Sequence, residues 1–155
     1  MGARKIRHYM IYQYKATLPD YKAFVRLYEI KASTTLYALH LFLQNDLSFS
    51  PDQQVFFGSV DQEGVPIREY GLFDMGNGSM DQVCLEVLLK EGIRTLHYVF
   101  DNFRGRYLIL QFEGAAEELS RKIYPRTIME QGGDPNQFGK EQRLIDLNVA
   151  EYDSE

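Results

Sequence analysis

The chain has 155 residues, 45 % hydrophobic and 25 % charged, a balance that supports one folded domain and excludes wholesale disorder. Its one cysteine, Cys84, excludes an internal disulfide and any cysteine-built zinc or iron–sulfur centre within a single chain. The net charge of −5 divides into seven Lys/Arg against three Asp/Glu over residues 1–50 and ten against nineteen over residues 51–155, which disfavours a nucleic-acid partner.

Met10–Leu18 alternates Met10, Tyr12, Tyr14, Ala16 and Leu18 against Ile11, Gln13, Lys15 and Thr17, the period of a strand. Pro19-Asp20 turns the chain, and Phe24–Lys31 reads as the second strand of a hairpin. Ser33-Thr34-Thr35 offers capping hydroxyls to a helix over Thr35–Asn45, where Leu36, Leu39, Leu43 and Leu47 recur at helical spacing. His40 lies on or beside that stripe. Gln44, not a second histidine, follows one turn later, so a packed histidine is expected in place of a metal ligand.

Gln54–Ser59 predicts a third strand, and Val60–Gly78, with Gly64, Pro66, Gly71, Gly76 and Gly78 spread through it, predicts a loop. Asp74, Asn77, Ser79 and Asp81 do not make a calcium loop, because glycines stand third and fifth from Asp74 and Leu85 stands twelfth. Ser79–Gln82 fits a capping box. A helix over Val83–Lys90, ended by Gly92, competes with a strand, since Val83, Leu85, Val87 and Leu89 also alternate. Cys84 in this apolar run reads as a buried structural thiol. Leu96–Asp101 and Tyr107–Glu113 predict a second hairpin around Asn102–Arg106. Glu117–Lys122 predicts one helical turn, and Gln131–Asn136 an irregular segment. Residues 6–138 are expected to form the domain. Residues 139–155, with five acidic and two basic residues, read as a flexible tail whose removal after Phe138 should barely change the melting temperature.

Recognisable catalytic motifs are missing. There is no glycine-rich phosphate loop, no dinucleotide fingerprint and no Gly-x-Ser-x-Gly elbow. No apolar run reaches the roughly 20 residues of a membrane helix, and Met1–Met10 lacks a signal-peptide core, so a cytoplasmic location is expected. His8, His40 and His97 lie on separate elements. Asp101, closing a strand beside Arg104 and Arg106, reads as a hairpin charge held by arginines. His97 and Asp101 share a strand face but stand about 13 Å apart by strand rise, too far for a direct acid–base pair.

The order YKATL, FVRLYEI and STTLYALHLFLQNDLSF resembles the opening of the family named after the third open reading frame of an agropine-type Ri plasmid, also described as an insertion-element passenger protein family. Arg26 matches the first arginine of that family's Trp-Arg-Arg strand, with Val25 and Leu27 in the other two places. Thr35-Leu36 and Leu39-His40 match its helix. Tyr98, Phe100 and Asp101 match its Tyr-x-Tyr-Asp-Phe-Gly-Asp hairpin, while Asn102, Phe103 and Arg104 depart from it. Tyr124-Pro125-Arg126 and Gly132-Gly133-Asp134-Pro135 resemble its closing segment, without the cysteines often found there. The resemblance spans about residues 9–138. It implies an α+β domain, a curved, mainly antiparallel sheet with a helix packed on it, β-grasp-like in its β-β-α-β opening. It carries over no activity and no cofactor.

The expected function is a non-catalytic, protein-binding accessory module, because 11 Tyr and 10 Phe exceed what a small core hides and aromatic rings anchor interfaces. Arg26, His40, His97, Asp101 and Arg104 form the candidate functional surface. An enzyme with a pocket between helix and hairpin, using His40, His97 and Asp101, is the alternative. A mobile-element nucleic-acid binder using Arg4, Lys5 and Arg7 beside tyrosines is the third reading.

Overall fold

The computed structural model describes residues 10–51, 54–74 and 76–135. Seven antiparallel strands form one sheet: β1 (Met10–Leu18), β2 (Tyr21–Lys31), β3 (Phe56–Val60), β4 (Pro66–Tyr70), β5 (Thr95–Asp101), β6 (Arg106–Glu117) and β7 (Arg126–Gln131). Their order across the sheet is β4-β3-β5-β6-β1-β2-β7. Helices α1 (Leu36–Asp46) and α2 (Leu85–Lys90) complete the α+β fold. The elements open in the order β-β-α-β as expected, but every named strand pair is antiparallel and β3 lies between β4 and β5, not beside β1, so the β-grasp likeness is not borne out.

The alternation read in β1 is the burial pattern of the strand. Tyr12, Tyr14, Ala16 and Leu18 are buried, whereas Gln13, Lys15 and Thr17 are half-buried on the other face. The same split continues in β2, where Phe24, Arg26, Tyr28 and Ile30 are buried, and in β5, where Leu96, Tyr98 and Phe100 are. Helix α1 covers this face. Phe42 meets the Tyr28 ring edge-on at 5.2 Å, and Phe49, just past the helix, stacks on Phe100 at 4.5 Å. Such ring pairs add to the apolar area they bury.

Thr35 caps α1, its Oγ1 accepting from the Ala38 amide at 3.1 Å, as the Ser-Thr-Thr run predicts. Residues 83–90 resolve to the helical alternative, shortened to Leu85–Lys90, and Gly92 follows at φ +85°. The amide of Leu36 bonds the Val83 carbonyl at 2.8 Å and that of Leu85 bonds the Thr34 carbonyl at 3.0 Å, tying the two helix entrances together. Cys84, in that junction, is half-buried instead of buried.

Two further expectations need correction. The predicted loop over 60–78 contains β4, an edge strand that pairs Phe57 with Tyr70 and Gly58 with Glu69. Its five residues open on Pro66, and proline is tolerated at a strand's start and on an edge, so the punctuation that reads as loop is compatible with pairing. The helical turn over 117–122 is absent: β6 runs on to Glu117 through a bulge opposite Gln13/Tyr14, after which the Lys122 amide bonds the Leu119 carbonyl and the Leu119 amide bonds the Tyr124 hydroxyl. Arg126–Gln131 forms strand β7, which the sequence reading does not assign, and residues 132–135 beyond it are irregular as expected. The acidic tail and Asn136 lie outside the described residues, as do Arg4, Lys5, Arg7 and His8.

Candidate functional site

The five candidate residues fall in four different places. Arg26 points to the helix-covered face of β2 and is 2 % exposed. Its Nη1 donates to the carbonyls of Val25 and Gln131 at 2.9 and 2.8 Å, and its Nη2 to the Gly132 carbonyl at 3.0 Å and Asp134 Oδ1 at 3.1 Å. The guanidinium also lies 4.4 Å from the Phe24 ring centre. It is a latch that fastens the exit of β7 to β2. Among the described residues its Nε has no hydrogen-bond partner.

His40, on α1, hydrogen-bonds the Tyr98 hydroxyl through Nδ1 at 2.7 Å within the core. Burial lowers the histidine's pKa and raises the tyrosine's. His97, adjacent to Tyr98 in β5, points to the opposite sheet face and stacks on Tyr107 at 4.2 Å. Burial lowers its pKa as well. Asp101 accepts from the Arg104 backbone amide at 3.2 Å and pairs with that residue's Nη1 at 3.4 Å, closing the β5–β6 turn. Arg106 pairs with Asp20 at 3.4 Å instead. His40, His97 and Asp101 therefore do not line one pocket, since the sheet separates the two imidazoles.

A different place has the shape of a site. Where β3 begins and β4 ends, a recess of about 460 Å³ opens, within the range of small-ligand sites. Phe56 and Glu69 wall it from the strands, Leu72 and Phe73 from the loop after β4, and Asn102 from the β5–β6 turn. Phe73 is 84 % exposed, and Phe103, next to Asn102, is 94 % exposed. Exposure of two whole rings, one on the wall of the recess and one a residue away from it in the chain, is unusual, because burying them would be favourable. The exposed Leu119 and Ile123 lie in the β6–β7 connection, away from this recess.

Local sequence explains the loop. Asp74 Oδ1 accepts from the amides of Gly76 and Gly78 at 2.8 and 3.0 Å, which holds its carboxyl below the usual range. Both glycines have positive φ, so this tight return suits few other residues. Gln82 Oε1 then accepts from the Ser79 amide at 3.2 Å, the capping box read in the sequence, here on a 3-10 turn over Met80–Gln82. Leu72 and Phe73 are left pointing outward. Two large apolar residues in a glycine-rich stretch, and Phe103 in a polar turn, were the available sequence signal for this end of the sheet.

No protein-family model and no curated protein matches the chain. Among solved structures it is similar to the crystal structure of the protein of unknown function MM3350 from Methanosarcina mazei Go1, with TM-score 0.74 and 14 % identity, over 92 % of this chain and 83 % of that one. At that identity the likeness establishes the fold alone. Among the described residues, no helix is long and apolar enough to cross a membrane, and no group of three or more His, Cys, Asp or Glu is arranged to hold a metal.

Proposed function

We propose that this protein is a non-catalytic binding module that engages a protein partner at the β3–β4 end of its sheet. The observation that carries the reading is the solvent-facing ring of Phe73 on the wall of the recess, with a second solvent-facing ring, Phe103, one residue along the chain from the lining residue Asn102. Aromatic residues of this kind become anchors when a partner desolvates them. The enzyme reading loses support because His40 is closed off by Tyr98 and stands on the other side of the sheet from His97.

The chain further reads as a divergent member of the Ri-plasmid third-open-reading-frame-like family. Support comes from the roles of the matching residues: Arg26 latches β7, Thr35 caps α1, His40 bonds Tyr98, and Asp101 closes a turn. These are the residues a shared scaffold needs. A photo-reactive phenylalanine analogue at position 73 or 103 should cross-link one common partner in native lysate. The same analogue at the exposed positions Tyr37 or Lys90 should not. Equal labelling from all four, or none from 73 and 103, contradicts the reading.

A further inference from the structure

We propose that the recess receives the cationic end of an arginine or lysine side chain from the protein partner. This rests on the binding-module reading and adds the chemistry of what is bound. Phe56, Leu72 and Phe73 supply apolar and aromatic wall, and Glu69 supplies a carboxylate at the same opening. Glu69 lies directly across from Gly58, whose missing side chain leaves the strip between Glu69 and His97 bare. A Cβ placed on Gly58 would meet only the Arg68 carbonyl, at 3.9 Å.

That combination suits an alkyl stem ending in a cation. The stem packs on the phenyl rings, the cation meets the negative face of a ring, and the carboxylate completes its pairing. Nearby bases are engaged elsewhere: Arg68 pairs with Glu91 at 2.5 Å, and Arg104 pairs with Asp101 at 3.4 Å. An anionic ligand would face Glu69 without a base in the named wall. A wholly apolar one would strip water from that carboxylate without replacing its partner.

The test is an amide NMR titration of the full chain with N-acetyl-arginine methylamide and with its neutral isostere, N-acetyl-citrulline methylamide. The arginine probe should shift the amides of Gly71, Leu72, Phe73 and Asn102 and bind severalfold more tightly than citrulline at low salt. Glu69→Gln should abolish that preference, and Phe73→Ala should weaken both probes, with the melting temperature of each variant unchanged. Equal affinity for the two probes, shifts centred elsewhere, or no shift with either overturns the proposal. If cross-linking from positions 73 and 103 still succeeds, only the cation assignment fails. If cross-linking fails too, the module reading falls with it.

Discussion

Arg26 illustrates how a buried charge is tolerated here, with backbone carbonyls from three residues and one carboxylate around its guanidinium. Removing the charged partner of such a network leaves those acceptors without donors. Arg26→Ala should therefore destabilise the fold by about 3 kcal/mol in urea unfolding. Asp134→Ala should lose under about 1 kcal/mol, because that side chain is half exposed. A similar loss from both would mean that the ion pair, not the carbonyl cage, holds β7. Tyr70 gives the opposite case: its hydroxyl is buried with no partner among the described residues. Tyr70→Phe should leave stability unchanged or raise it by up to about 1 kcal/mol. The histidines set the pH dependence. His40 and His97 have folded-state pKa values below the ordinary 6.5, so below that value the unfolded chain binds more protons. Their contribution is fully present above 6.5 and is lost as pH falls from there. The urea midpoint should decline on acidification through this window, and His40→Gln with His97→Asn should flatten that limb; an unchanged slope would remove the histidines from the account.

At the scale of elements, β7 depends on one glycine. Gly132 has φ +75°, and a Cβ there would lie 2.6 Å from the Ala23 carbonyl oxygen, a backbone atom that cannot step aside. Gly132→Ala should destabilise by about 1–3 kcal/mol, whereas Gly133→Ala, with open space around it, should be nearly neutral. Thermal unfolding of the two variants decides this, and equal losses would contradict it. Strands β1, β2, β5 and β6 and helix α1 were legible because each buries one face, so period and burial coincide. Strand β7 was not, because Ile128, Met129, Glu130 and Gln131 are all exposed on the sheet's edge and leave no alternating pattern. Strand β4 was hidden for the same reason, with burial reached only at Tyr70. The recess escaped the sequence because its walls come from three separate segments, joined only by the pairing of β3 with β4 and β5. The motif-like residues that did stand out, Arg26, His40 and Asp101, serve the scaffold.

Across the whole molecule, both sheet edges are guarded against open-ended pairing. Strand β4 begins with Pro66 and carries Arg68 at its centre, and β7 is interrupted by a bulge at Ile128. At the end of the sheet, Phe73 and Phe103 stand in solvent. The central claim is that these rings serve binding and not folding. The double variant Phe73→Ala/Phe103→Ala tests it most directly, with thermal unfolding and partner cross-linking read on the same preparation, the photo-reactive group then carried at Leu72. The account predicts an unchanged melting temperature, since rings this exposed bury little area in the fold, together with loss of the cross-linked partner. A clear fall in melting temperature with cross-linking retained would contradict it.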